Sequence, residues 1–309
     1  MTDVVVVGGG VIGMAVAWEL NARGASVLLL ERDRVGSSAS WAGGGILSPL
    51  PPGSESTALR PLLQESLQRY PAWCRQVHEI SDIDPEYWIC GATYDNGQGV
   101  IEIPTLAQVR NPRLLKGLML ALHRSRIAIR EQAEVLGWHL DGSRLAGVRL
   151  REGLIRCRQV VVTAGAWSQS LGSSAVAPVK GQMLLYRTEP GALHRILIND
   201  RAYVIPRRDG HILVGSTLEH AGFDQATTIA ARQWLMEQGA SLWPPLLNLE
   251  VKAQWAGLRP GYPADVPLIA ADPRIEGLVH CTGHFRIGIT LAPASAALAA
   301  ALVLDGRDI

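Results

Sequence analysis

The chain opens on an unbroken apolar run, Val4 to Val7, which ends in three glycines and passes into a segment with helical spacing. In that segment Val16, Trp18 and Leu20 stand among polar Glu19, Asn21 and Arg23, and a second apolar run, Val27 to Leu30, follows. The pattern predicts a strand over 3–7, a helix over 11–23 and a strand over 26–31, a βαβ unit. From Thr57 to Ile80, Leu62, Leu63, Leu67 and Tyr70 recur on one face. This predicts a helix or two, with Pro71 as the break. Residues 81–104 read as irregular, with Asn96-Gly97 as a candidate hairpin turn. Leu114, Leu115, Leu118 and Leu122 predict a helix over 112–125. Ala133–Leu140 and Arg144–Leu150 flank Asp141-Gly142 as a hairpin, and Gln159–Thr163 reads as a short buried strand.

The rhythm changes after Gln182. Strands at Met183–Tyr186, Ala202–Ile205 and His211–Val214 surround a turn at 208–210, and a helix is expected from Thr228 to Ala240. No βαβ repeat continues, so this part predicts a mostly antiparallel second domain. The last apolar stretch, Ile287 to Leu304, is rich in Ala and Ser and holds Pro293. It predicts a buried core helix that begins near Pro293, where proline is tolerated, rather than a membrane span.

Composition narrows the function. With 309 residues the chain can form one large or two ordinary domains, and its net charge of +1 shows no run of one sign. A nucleic-acid partner is not indicated, since such binders carry a basic stripe. Cys74, Cys90, Cys157 and Cys281 are widely spaced, which suits reduced thiols in a cytoplasmic protein and no metal site. No basic region precedes the first apolar run, so no signal peptide is expected.

The glycines carry the first chemistry. Gly8, Gly10 and Gly13 have G-x-G-x-x-G spacing between a strand and a helix, and the next strand ends in Glu31. In that context the motif predicts a dinucleotide: a tight turn, a backbone open to a pyrophosphate, and an acid for ribose hydroxyls. The acid favours FAD or NAD over NADP. The segment 35–48 is rich in Gly and Ser yet carries Trp41, Ile46 and Leu47, which suits backbone lying against a flat or charged group better than a linker.

Beyond the glycines, the blocks Ser40-Trp-Ala-Gly-Gly-Gly-Ile-Leu-Ser-Pro49, Ala107-Gln-Val-Arg-Asn-Pro-Arg113, Thr163-Ala-Gly-Ala-Trp167, Ala256-Gly-Leu-Arg-Pro260 and Gly283-His-Phe-Arg286 follow in order. Over nearly its whole length the chain resembles the FAD-dependent glycine oxidases of thiamine biosynthesis, within the D-amino-acid oxidase superfamily. The resemblance implies an α/β fold: a Rossmann-like FAD-binding domain (1–47, 106–178 and 256–309) and a mixed, mostly antiparallel substrate domain (48–105 and 179–255). It implies non-covalent FAD, a small amino-acid substrate (glycine, sarcosine or a small D-amino acid) and O2 as oxidant. The products would be an imine, then glyoxylate and ammonia, with peroxide. A related amine oxidase or dehydrogenase, or a flavoprotein without catalysis, is the alternative. The resemblance is compatible with a homo-oligomer, which no motif here establishes.

The resemblance also places residues. Val11 and Ile12 fall at the pyrophosphate with the glycines, Glu31 and Arg32 at the ribose and adenine, and Val135 at the adenine. Ala39, Ser40, Gly44, Gly45 and Ile46 fall along the phosphates and isoalloxazine, and Gly165 also falls at the cofactor. Residues Gly283, His284, Phe285, Ile287, Gly288, Ile289 and Thr290 line the flavin, while Arg259 and Arg286 match carboxylate-binding positions and Tyr203 a pocket tyrosine. Two features depart from the family: Ile287 stands where a polar Asn is usual, and the stretch between Trp88 and Ile103 is short.

The residue types agree with this chemistry. Oxidation of an amino acid needs orientation more than acid–base machinery. Arg259, in an otherwise apolar Trp-Ala-Gly-Leu-Arg-Pro run, suits a bidentate carboxylate clamp, with a structural ion pair as the alternative. His284 is expected to pack rather than act as a base, and Cys281 to be buried rather than linked to flavin. The N-terminus of the closing helix is expected to approach the flavin, where its dipole would stabilise negative charge.

Overall fold

A computed structural model describes residues 2–305. In chain order the elements are β1 (Val4–Val7), α1 (Val11–Ala22), β2 (Val27–Leu30), α2 (Ala39–Ala42), α3 (Arg60–Ser81), β3 (Trp88–Ile89), β4 (Ala92–Asp95), β5 (Val100–Ile103), β6 (Ala107–Gln108), α4 (Asn111–Arg124), β7 (Ala128–Arg130), β8 (Val135–Asp141) and β9 (Arg144–Leu150). Then come β10 (Gly153–Arg156), β11 (Gln159–Val162), β12 (Ala177–Arg187), β13 (Ile196–Asn199), β14 (Tyr203–Pro206), β15 (His211–Gly215), α5 (Ile229–Leu242), β16 (Ala253–Gly261), β17 (Leu268–Ala271), β18 (Leu278–Thr282) and α6 (Gly288–Asp305).

A six-stranded sheet runs β17-β18-β11-β1-β2-β7 and is parallel except at β17. β1, β2 and β11 are continuous apolar runs because both faces of the sheet are covered. On one face Val4 and Val6 meet α1, α4 and α6, while Val5 and Val7 on the other meet the three-stranded sheet β10-β9-β8. A seven-stranded sheet, β16-β12-β15-β14-β13-β4-β5, is antiparallel except where β13 meets β4. α5 packs on it through Leu235, against Leu184, Val204 and Val214.

The irregular region expected over 81–104 contains three short strands, and Asn96-Gly97 does form the turn between β4 and β5. There Asn96 Oδ1 accepts from the amides of Gln98 and Gly99, and Gly97 has φ +77°. These strands are short and largely exposed, so no long alternation marks them.

Two prolines expected at helix boundaries lie inside helices. α3 runs unbroken through Pro71, because Leu63, Ser66, Tyr70, Cys74, Val77 and Ser81 bury one continuous face while Pro71 itself is exposed. α6 begins at Gly288 rather than near Pro293. Pro293 removes the amide that would bond the Ile289 carbonyl. Tyr70 of α3 supplies a donor to that carbonyl instead, at 2.7 Å. One turn earlier on α3, the Ser66 hydroxyl donates to Thr290 O at 2.7 Å and accepts from the Ala294 amide at 3.4 Å. α6 is long and apolar enough to cross a membrane by length and composition, yet 67% of it is buried in the protein, against α1 and α3.

Candidate active site

The strand order reverses at β1, with β2 on one side and β11 on the other, and a pocket opens beyond the carboxyl ends of these strands. Its floor is the turn from β1 into α1. Gly8 adopts φ +109°, and a Cβ there would lie 2.6 Å from Thr163 O. A Cβ on Gly13 would lie 1.8 Å from Gly8 O, so only glycine lets α1 pack this closely on the strand end. The Thr163 hydroxyl, just past β11, donates to Val7 O or Gly8 O, both at 2.9 Å. Its role as a staple follows from the pairing of β1 with β11.

Glu31 closes one end of the pocket. Its Oε2 accepts from the Gly9 amide at 2.6 Å and its Oε1 from the Asp33 amide at 2.9 Å. The carboxylate is thereby fixed against the glycine turn. Arg32 lies beside it with its guanidinium 3.8 Å from the centre of the Trp167 ring, and Val135 lines the same end. Ser40, from α2, accepts the Val11 amide at 3.0 Å and holds the first turn of α1 against the segment 39–43.

The second glycine cluster is held from outside the pocket. Asn111 Nδ2 donates to Ser40 O and Gly43 O at 2.8 and 2.9 Å. Val109 N donates to Gly45 O at 2.9 Å, and the Thr290 hydroxyl donates to Ile46 O at 3.1 Å. Arg207 adds a bond to Gly44 O at 2.8 Å and others to Val109 O and Gln108 Oε1. Its guanidinium is buried, and burial lowers its pKa to about 10, so it stays charged near neutrality. Sequence reasoning missed Arg207.

The opposite end of the pocket is cationic. Arg259, on β16, donates to Ser216 Oγ at 2.7 Å, Thr217 O at 3.2 Å and Lys180 O at 3.4 Å. All three acceptors are neutral, and among the described residues no salt bridge reaches this arginine. Burial lowers the Arg259 pKa; Tyr203, by charge and by a side-chain hydrogen bond, opposes the shift, Arg286 adds to it, and the Glu219 carboxylate opposes it from farther off. The guanidinium lies over Gly181, where a Cβ would come within 2.2 Å of it. Arg286 is exposed at the pocket's edge. Phe285, beside it, has φ +46° and donates its amide to Pro260 O at 3.0 Å.

The pocket thus gathers Gly8, Gly10, Val11, Ile12, Glu31, Arg32, Ala39, Ser40, Val135 and Gly165 with Arg259, His284, Phe285, Arg286, Gly288 and Ile289. Gly13, Gly44, Gly45, Ile46, Gly283 and Thr290 are not among the residues that line it. Nor is Tyr203, which is 6% exposed, with its ring against Gly44 and its hydroxyl 3.9 Å from the Met183 sulfur. Ile287 turns away and packs with Leu59, Leu63 and Leu291. His284 is buried, with Nε2 3.0 Å from the Ser295 hydroxyl, and burial depresses its pKa to about 3. Cys281 is buried with its thiol pKa raised by that burial, which keeps it a neutral thiol.

Comparison with known proteins agrees with this geometry. The family described as FAD dependent oxidoreductase (DAO) matches residues 3–96 and 77–302. A glycine oxidase of Pseudomonas aeruginosa is 41% identical, over 99% of this chain and 95% of that protein. A bifunctional ThiO/ThiG protein of Trichormus variabilis is 30% identical over 99% of this chain and 53% of its own length. The crystal structure of glycine oxidase from Geobacillus kaustophilus superposes with a TM-score of 0.93 at 27% identity, over 99% of this chain and 95% of that one.

Proposed function

The chain belongs to the DAO family of FAD-dependent oxidoreductases, and from that premise we propose that it oxidatively deaminates glycine or a close relative, sarcosine and small D-amino acids included. The glycine cradle fits FAD: Cβ atoms at Gly8, Gly9 and Gly10 would reach within 2.6, 2.9 and 3.3 Å of neighbouring atoms, closing the surface a pyrophosphate would approach. Gly8 to Ile12 and Ser40 would hold the pyrophosphate at the start of α1. Glu31 would accept the ribose hydroxyls, with Arg32 and Val135 at the adenine. Ala39, Gly165, His284, Phe285, Gly288 and Ile289 would face the rest of the cofactor, with Gly44–Ile46, Gly283 and Thr290 supporting them from outside the lining. When bound, FAD supplies the acceptor for the Cα hydride and passes the electrons to O2, which gives peroxide.

The protein's own part is placement. The observation that carries the reading is Arg259, a guanidinium in the cofactor's pocket held only by neutral oxygens. A substrate carboxylate would supply the missing counter-charge and a bidentate contact, fixing which Cα bond faces the reacting group. Arg286, exposed at the rim, would add attraction for the incoming anion. His284, its pKa lowered to about 3 by burial, is too weak a base to be given the amine's proton in this reading. We assign 1–47, 106–178 and 256–309 mainly to the cofactor and 48–105 and 179–255 mainly to the substrate; two elements depart from that division, since β16 crosses residue 256 within the seven-stranded sheet and α3 packs on α4 and α6. The likeness to a ThiO/ThiG protein supports a role in thiamine biosynthesis. A cytoplasmic location belongs to the same proposal and is supported by the four free cysteines.

Anaerobic addition of glycine, sarcosine and D-alanine to the yellow protein tests this. Bleaching of the flavin spectrum by one of them, with peroxide released on admitting air, is the expected result. A flavin that none of these amines reduces would overturn the proposal.

A further inference from the structure

Arg259 is half-buried and has no carboxylate in contact with its guanidinium. Its partners are a hydroxyl and two carbonyls, from Ser216, Thr217 and Lys180. A carboxylate partner would hold the same geometry while neutralising the charge. Neutral acceptors fix the group, and the Glu219 carboxylate acts on it only at longer range, so no carboxylate occupies its contact face.

The segment that supplies these acceptors is itself pinned. Ser216 follows β15 directly and is 5% exposed. The Gln182 amide donates to the Thr217 hydroxyl at 2.8 Å, and Thr217 N donates to Gln182 O at 3.3 Å. Lys180 and Glu219 exchange both main-chain bonds at 2.9 Å. The Lys180 ammonium, 1% exposed, reaches Asp224 at 2.7 Å. Ser216 therefore presents its oxygen from a fixed backbone, and Gly181 leaves the space into which the guanidinium settles.

We propose that Ser216 is a positioning residue for the carboxylate clamp: its hydroxyl sets the Arg259 guanidinium while leaving it free of any contacting carboxylate but the substrate's. The inference rests on the reading of Arg259 as that clamp. Ser216 was not marked by any motif in the sequence, and it acts through Arg259 rather than on the substrate.

The test uses the FAD-loaded protein and acetate, a carboxylate with no amine to oxidise, followed by perturbation of the flavin absorbance. Ser216→Ala is expected to raise the acetate Kd and the glycine KM about tenfold, in line with loss of a hydrogen bond to a charged group, with kcat and FAD affinity little changed. Ser216→Thr, which keeps the hydroxyl, is expected to recover most of that loss. Ser216→Asp keeps an acceptor but adds a counter-charge, and is expected to abolish acetate binding. An acetate Kd unchanged in Ser216→Ala, or acetate bound normally by Ser216→Asp, would overturn the proposal. If Ser216→Asp fails to hold FAD, the Ala and Thr variants decide alone. Acetamide separates the two levels of inference: wild-type protein that binds it as tightly as acetate has no carboxylate clamp, and both readings fall. Wild-type protein selective for acetate, with Ser216→Ala unaltered, sinks only the role of Ser216.

Discussion

The Tyr70 hydroxyl donates to the Ile289 carbonyl at 2.7 Å, and this is the carbonyl that Pro293 leaves without an amide. A side chain of one helix thus completes the backbone of another, in the first turn of α6, where Gly288 and Ile289 line the pocket. The start of α6 is held at the pocket by α3 and not by its own ladder alone.

Tyr70→Phe keeps the packing and removes only the donor. The half-buried carbonyl would be left without its protein donor, at a cost of about 1 kcal/mol. Urea unfolding should show that loss with an unchanged m-value. FAD retention should fall in parallel, because the same turn forms the pocket wall.

Gly181→Ala should impair substrate binding without touching the cofactor. The new methyl would stand 2.2 Å from the Arg259 guanidinium and displace it. Gly181 does not have a positive φ, so the backbone accepts alanine. The expected result is a glycine KM raised at least about tenfold, the equivalent of one lost charged hydrogen bond, with FAD affinity as in the wild type. Steady-state kinetics together with a flavin-release assay would check it.

Glu31→Ala removes an acceptor that serves twice. The carboxylate fixes the Gly9 and Asp33 amides and is the group placed to meet the ribose. Loss of charged hydrogen bonds at about 1.5–3 kcal/mol each should weaken FAD binding by tenfold or more. Equilibrium dialysis of the apoprotein with FAD measures it, and glycine KM in the FAD-saturated variant should stay near the wild-type value.

His284 predicts the acid limb of stability. Its pKa is near 3 in the folded protein because burial disfavours the imidazolium, against an ordinary value of 6.5. The unfolded chain therefore binds the proton first, and stability falls as pH drops from 6.5 toward 3, by about 1.4 kcal/mol per unit from this group. Above pH 6.5 the group has no effect. A His284→Asn variant should lose less stability between pH 6.5 and 4.5 than the wild type does, as read from urea midpoints. The pH profile of turnover should show no limb belonging to His284.

Much of this structure is legible in the sequence where local rules act alone. The apolar runs at 4–7 and 27–30, the glycine spacing between them and the hairpin at Asp141-Gly142 follow from strand periodicity and turn geometry, and the structure keeps them. Pro71 and Pro293 read as helix boundaries because the groups that relieve or outweigh them lie on other elements. Ser66 and Tyr70 are far from α6 in sequence, and only packing brings them to it. Arg207 stands next to Arg208, and composition does not say which faces inward. Strand parity does: Arg207 shares the face of Tyr203 and Ile205, toward Gly44, whereas Arg208 lies 5.5 Å from the Trp88 ring centre. Ile287 reads as a change beside the flavin, yet its side chain belongs to the cluster of Leu59 and Leu63. Motif alignment gives position along the chain; it does not give the direction of a side chain.

The two large sheets are woven from alternating lengths of one chain. β1 and β2 belong to the first, β4 and β5 to the second, β7 and β11 to the first, β12 to β16 to the second, and β17 and β18 to the first again. Neither sheet is a continuous gene segment, so exchanging the seven-stranded sheet as a unit requires replacing at least two separate lengths of chain together.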